Sequence, residues 1–150
     1  MPDQQKTPDA NEVMMQLRYL QNLYSQQYES LDGSIANYTM TNTSLDRNIE
    51  ILEKSKSVEN SNIIIAGEGG AYIPAKLGKV DKIMTYVGGG YLIETNVEKA
   101  LEFLKANRAK GEEVLTKLVA EKRKVEKDLL DIQYKLNALQ YEEQQQQTGS

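Results

Sequence analysis

Two glycine clusters, Gly67-Glu68-Gly69-Gly70 and Gly88-Gly89-Gly90, are the first residues of this chain to raise the question of chemistry. Glycine-rich loops can cradle phosphate with backbone N–H groups. Neither cluster completes such a motif. A Walker loop needs Gly-Lys followed by Ser or Thr, and Gly78-Lys79 is followed by Val80. The dinucleotide fingerprint needs glycines that enter a helix, whereas Gly88-Gly89-Gly90 enters a strand pattern. Plain hairpin turns account for both clusters. The acidic pairs Glu112-Glu113 and Glu142-Glu143 are sequence neighbours that point in different directions on a helix. They form a solvated face rather than an acid/base pair. The chain has neither cysteine nor histidine, which removes the commonest nucleophile, general base and metal ligands. Catalysis would rest on carboxylates, Lys, Ser or Tyr alone. The sequence therefore predicts no catalytic residue, no cofactor, no metal and no enzyme.

The elements that hold these groups follow from two apolar heptads and the insert between them. The first seam runs Met14, Leu17, Gln21, Tyr24, Tyr28, Leu31, Ile35, Tyr38, Asn42, Leu45, Ile49, Leu52. The second runs Val97, Leu101, Leu104, Arg108, Gly111, Leu115, Leu118, Lys122, Val125, Leu129, Ile132, Leu136, Leu139. Two stripes of matching length predict an antiparallel coiled-coil helical hairpin, each helix roughly 60 Å long at about 1.5 Å per residue. Thr7-Pro8-Asp9 starts the first helix, and Thr95 with Glu98 stands at capping-box spacing before the second. The seam tyrosines Tyr24, Tyr28 and Tyr38 are core residues with hydroxyls at the margin. Asn42 is a register device, Arg108, Gly111 and Lys122 weaken the second seam locally, and Gly111 allows a closer backbone approach. Gln144 to Ser150 is a low-complexity, disordered tail.

Within the insert the period changes. Asn62–Gly67 with Ala71–Leu77, and Lys82–Val87 with Tyr91–Thr95, read as two β-hairpins whose turns use glycine's access to positive φ. Pro74 cannot donate to a ladder, so its strand lies at an edge or is bulged there. Apolar residues occupy both strand faces, Ile63 and Ile65 against Ile64, and Ile83 and Val87 against Met84 and Tyr86. Two hairpins with open edges and two apolar faces need neighbours, so the insert predicts oligomerisation. The fold class is α+β, in one domain over 1–150: a helix at 8–56, the hairpins at 61–95, a helix at 96–143 and the tail at 144–150.

Apolar residues also fall outside the seam. Met15, Tyr19, Leu20 and Leu23 near the start of the first helix, and Leu130, Tyr134 and Tyr141 near the end of the second, meet at the open end of an antiparallel hairpin. Such patches on a soluble protein mark binding surfaces, and methionine suits variable contacts. The alternative is that these tips pack on each other or on a third helix. Across the 150 residues the net charge is −4, which argues against nucleic acid as a partner. With 39% apolar and 27% charged residues, disorder is not the default. No signal peptide is visible, so none is expected, and no apolar run approaches the ~20 residues that span a bilayer. A cytoplasmic address and no membrane partner are expected.

Helix, two hairpins and helix, with "IIIAGEGGAYIPAKL", "TYVGGGYLIET" and "NVEKALEFLKANRAK", resemble the α-type subunit of prefoldin over essentially the whole ordered chain. The likeness is most specific from Ile63 to Arg108, although Ile65-Ala66 stands where the family often has Val-Pro. Two hairpins rather than one point to the α class. The resemblance implies an α2β4 hexamer with prefoldin beta-type subunits, in which the hairpins form part of an oligomeric β-barrel and six coiled coils hang from it. It also implies ATP-independent capture of unfolded client polypeptides at the coiled-coil tips and delivery to a group II chaperonin. Met14, Met15, Tyr19, Leu20, Leu23, Leu130, Tyr134 and Tyr141 are then the expected client contacts. Ile63, Ile65, Tyr72, Ile73, Ile83, Val87, Leu92 and Ile93 are the expected subunit contacts. The rival expectations are a scaffolding subunit of a prefoldin-like assembly or filament, and an enzyme using the glycine loops for a nucleotide.

Overall fold

The computed structural model describes residues 9–149. Helix α1 covers Ala10–Ser55, strands β1 and β2 cover Asn62–Ala66 and Tyr72–Lys76, strands β3 and β4 cover Ile83–Gly88 and Tyr91–Thr95, and helix α2 covers Val97–Thr148. By contact the chain divides into two compact units, one built from residues 1–37 with 115–150 and the other from 38–114. In each unit the two helical stretches run antiparallel.

In the first unit the seam is closed by Leu31, Val125, Ile132 and Leu136, all buried. Polar pairs flank it: Gln21 Nε2 donates to Gln133 Oε1 at 2.9 Å, and Gln27 Nε2 donates to Glu121 Oε1 at 3.3 Å. Lys122 occupies a seam position but does not leave a gap. Its ammonium pairs with Asp32 and lies 4.7 Å from the centre of the Tyr28 ring, so the aliphatic stem covers the seam while the charge is met at its edge. The start expected at Thr7-Pro8 lies outside the described residues. From Asp9 onward the first turn is in place, the Asp9 carbonyl accepting from Val13 N–H at 3.1 Å.

The disordered tail expected from Gln144 is instead helix as far as Thr148. Glutamine is a good helix former. Bonds between residues four apart hold the last turns: Gln145 Nε2 donates to the Tyr141 hydroxyl at 2.9 Å, and Thr148 Oγ1 donates to the Gln144 carbonyl at 3.0 Å. Composition alone signalled low complexity but not this local bonding. The final serine lies outside the described residues.

In the second unit, α1 ends where Ser55 and Ser57 donate back to the carbonyls of Leu52 and Lys54, and Asn60 then takes a positive φ of 59°. The Glu59 carboxylate accepts Val80 N–H at 2.8 Å, tying the link between the two hairpins to the end of α1. The strands form two separate two-stranded antiparallel sheets, β1–β2 and β3–β4. The first keeps an unbroken register from Asn62↔Lys76 to Ala66↔Tyr72, so Pro74 opposite Ile64 sits in the ladder without a bulge. The second shifts register between Tyr86 and Gly88, where Gly88, Gly89 and Gly90 have φ of 103°, 60° and 80°. Three successive left-handed residues make this a turn for glycine.

Helix α2 begins one residue later than the Thr95 capping box implies. Asn96 is the cap, its Oδ1 accepting Lys99 N–H at 2.8 Å, and Glu98 turns instead to Lys56 at 2.7 Å. Val97 and Ala100 are buried behind it. Arg108 lies across the seam as Lys122 does, its Nε donating to Asp46 Oδ1 at 2.8 Å and Nη1 to Glu112 Oε2 at 2.7 Å. The hydrogen bonds it donates to Asp46 first, and then to Glu112, hold its guanidinium well above the ordinary arginine value.

Candidate functional site

Two exposed apolar surfaces stand out, one in each unit. In the first unit Met15 is 73% exposed, Tyr19 68% and Tyr134 72%, and Leu20, Leu23, Leu130 and Tyr141 are exposed as well. Met14 differs from these because it is a seam residue and is half-buried. The heptad explains the set. Positions outside the a/d stripe of a two-helix seam have no partner helix to cover them. The Gln21–Gln133 bond places the two helical stretches side by side at the level of Leu20 and Tyr134. Met15, Gln16, Tyr19 and Leu20 line a shallow depression of about 460 Å³ on α1. Such a surface offers flexible and aromatic groups without a directional donor set.

In the second unit the hairpins carry the exposure. Ile65, Tyr72, Ile73, Val87, Leu92 and Ile93 are exposed, while Ile63 and Ile83 are half-buried. The two hairpins differ in how they are held. Strand β3 buries Thr85 and turns Ile83, Met84 and Tyr86 toward a groove of about 530 Å³, shared with Ile51 and Leu52 of α1 and Phe103 of α2. No residue of β1 or β2 is buried. Sequence reasoning did not single out this groove. The available signals were Ile51, apolar but off the seam, and Phe103, the chain's one phenylalanine and also off the seam.

At mid-seam, Asn42 is buried with neither carboxamide atom hydrogen-bonded. Gly111 is what makes room for it. A Cβ built there would overlap Asn42 Oδ1 and lie 3.1 Å from Cγ. Among the described residues no group of three or more acidic side chains is placed to hold a metal ion, and no helix is long and apolar enough to cross a membrane.

Two long amphipathic helices that bracket a pair of β-hairpins, with exposed apolar residues on both parts, define a helical-hairpin protein of the coiled-coil class. The family model described as prefoldin subunit matches residues 24–142, and the chain belongs to the prefoldin family, on its alpha-type side. It is 30% identical over 110 residues to the prefoldin subunit alpha of Methanothrix thermoacetophila, covering 73% of this chain and 71% of that protein. To the prefoldin subunit alpha of Methanoregula boonei it is 29% identical over 130 residues, covering 81% and 83%. The human prefoldin subunit 5 is 32% identical over 91 residues, covering 60% of this chain and 59% of that one. A cryo-EM structure of filamentous PFD from Methanocaldococcus jannaschii shares the fold, with a TM-score of 0.53 at 22% identity, over 83% of this chain and 98% of that one. Prefoldin is a chaperone family, and the expected α+β fold of two helices and two hairpins is the one found.

Proposed function

We propose that this chain is the alpha-type subunit of a prefoldin hexamer of α2β4 composition, acting in the cytoplasm as an ATP-independent holdase. Unfolded client polypeptide is captured by Met14, Met15, Tyr19, Leu20, Leu23, Leu130, Tyr134 and Tyr141 and delivered to a group II chaperonin. The hairpins join it to beta-type subunits through Ile63, Ile65, Tyr72, Ile73, Ile83, Val87, Leu92 and Ile93. The observation that carries this reading is the concentration of exposed Met, Tyr and Leu side chains outside the seam in the first unit. Apolar contact is non-directional and so accepts many clients. Several weak contacts on separate arms add through effective concentration, which supplies avidity without a fixed pocket.

The test is light scattering of a chemically unfolded client diluted into buffer without ATP, with and without the assembled oligomer. Suppression near stoichiometric hexamer supports the holdase, and removal of the tips should abolish it while leaving the oligomer intact. Tip removal that dissolves the hexamer would reverse the two assignments. A scaffolding subunit of a prefoldin-like assembly or filament is the second reading, favoured by the fold shared with the filamentous PFD of Methanocaldococcus jannaschii. Absence of suppression by a properly assembled oligomer would favour it.

A further inference from the structure

Charge is distributed unevenly along the first unit. The bond from Gln21 to Gln133 fixes which residues of the two helical stretches share a level. At that stagger residues 9–25 of α1 run beside residues 129–145 of α2. The exposed apolar stretches, Met15 to Leu23 and Leu130 to Tyr141, both fall inside this end. It carries five carboxylates, Asp9, Glu12, Asp131, Glu142 and Glu143, against two cations, Arg18 and Lys135. The chain as a whole has a net charge of −4, so three of its four excess negative charges are gathered round one apolar surface.

Away from this end, acids meet bases. Asp32 meets Lys122, Asp46 and Glu112 meet Arg108, Glu53 meets Lys105, and Glu98 meets Lys56. Among the described residues Glu12, Asp131 and Glu142 join no ion pair, and all three are exposed. Their positions tie them to the apolar side chains, because residues three and four apart on a helix are neighbours. Glu12 precedes Met15 by three residues and Asp131 precedes Tyr134 by three. Glu12 and Glu142 share a level across the pair. The helix ends do not offset these charges, since the positive end of α1 lies beside the negative end of α2 and the two largely cancel.

We propose that this end selects, among unfolded polypeptides, segments whose apolar residues are bracketed by lysine or arginine, and discriminates against segments bracketed by acid. The inference rests on the first unit being the client surface, and it names the class of client that surface takes. A client cation a few residues from its own apolar anchor reaches Glu12 or Asp131 while the anchor packs on Met15 or Tyr134. Its aliphatic stem then lies along the apolar surface instead of in water. A client carboxylate in the same place meets like charge. One exposed ion pair contributes little. Selectivity comes from the summed field of several unpaired like charges, which speeds encounter with cationic segments and fades as salt screens it.

Three labelled peptides test this, with one common apolar centre flanked on both sides by two lysines, two serines or two glutamates. Each is titrated onto the assembled oligomer and followed by fluorescence anisotropy. At about 0.02 M salt the lysine-flanked peptide should bind about tenfold more tightly than the glutamate-flanked one, and the gap should close by about 0.5 M. Asp131→Lys combined with Glu142→Lys turns the charge of this end from −3 to +1. Lysine is a good helix former, so the helix is kept, and the order of the peptides should vanish or invert. Sedimentation confirms that the variant oligomer is intact.

Equal affinities for the three peptides, or an order that the charge reversal does not change, would overturn the proposal while capture by apolar contact stands. A reversal that leaves the peptide order unaltered but weakens hand-over to the chaperonin assigns the carboxylates to docking, and overturns it as well. If none of the peptides binds and scattering of an unfolded client is not suppressed, the client surface itself is wrong and the proposal falls with it.

Discussion

Gly111→Ala should not behave as an ordinary helix substitution. In an exposed helix interior, replacing Gly by Ala stabilises by about 1 kcal/mol. Here the new methyl would overlap Asn42 Oδ1 and lie 3.1 Å from Cγ and 3.4 Å from Nδ2. Asn42 is 4% exposed, so its carboxamide must turn within the seam to make room. Overpacking of this kind costs about 1–3 kcal/mol. The two effects leave Gly111→Ala between neutral and about 2 kcal/mol destabilising. In an Asn42→Ala background the overlap is gone, and the same substitution should stabilise by about 1 kcal/mol. At about 2–4 °C per kcal/mol, Tm should rise a few degrees in that background and stay level or fall by up to about 8 °C in the native one. The coupling measured by the double-mutant cycle is then about 1–3 kcal/mol. Thermal unfolding followed by far-UV circular dichroism, at one fixed chain concentration, reads all four corners. An equal rise in Tm in both backgrounds would refute the pairing of Asn42 with Gly111.

Three further outcomes are expected. Asn96→Ala removes the Oδ1 that accepts Lys99 N–H and should cost about 1 kcal/mol in urea unfolding, whereas Thr95→Ala should cost less; the reverse order would restore Thr95 as the cap. Tyr19→Ser with Tyr134→Ser should weaken client protection several-fold with no loss of assembly, since both side chains are exposed. Unchanged suppression of client scattering would take these residues out of the client surface. The hydrogen bond that the Lys122 ammonium donates to Asp32 raises the Lys122 pKa, so its charged form is favoured in the folded state. A raised pKa contributes stability that is in full force below the unfolded value of about 10.4 and is lost as pH climbs past it. Tm of the native chain should therefore fall more steeply than that of Asp32→Asn above that pH, and parallel curves would contradict the pairing.

What the sequence made legible was whatever depends on period. Leu31, Val125, Ile132 and Leu136 are buried because a seven-residue repeat places them toward a second helix, and no knowledge of the partner's register is needed to see that. The hairpins announced themselves through glycines at positions that do require positive φ. Features that depend on which residues face each other were hidden. Arg108 and Lys122 looked like flaws in a stripe until Asp46 and Asp32 were found opposite them. For Asn42 and Gly111 the sequence suggested a register device and a close backbone approach, but not that the two residues face each other. The cap at Asn96 and the helical glutamines turn on single local hydrogen bonds, which several neighbouring residues could have made equally well.

The two exposed surfaces differ in chemistry, and that difference supports giving them different tasks. On the hairpins half of the ten exposed large apolar residues are β-branched, Ile64, Ile65, Ile73, Val87 and Ile93, beside Tyr72, Met84, Tyr86, Tyr91 and Leu92. β-Branched side chains are stiff at χ1 and lose little on being fixed beside a strand, so they suit a contact made once and kept. Off the seam in the first unit the exposed residues are Met15, Tyr19, Leu20, Leu23, Leu130, Tyr134 and Tyr141, with no β-branched member. Methionine repacks against irregular surfaces, and tyrosine presents an apolar ring with a hydroxyl that stays in water when nothing is bound. Exchanging the two kinds makes the argument testable. Isoleucine placed at 15, 20, 23 and 130 preserves bulk hydrophobicity while removing adaptability. If capture depends on adaptability, client range should narrow while affinity for any one client changes little, as measured by scattering suppression across several unrelated clients. A uniform loss or gain across all clients would mean that exposed apolar area alone sets capture.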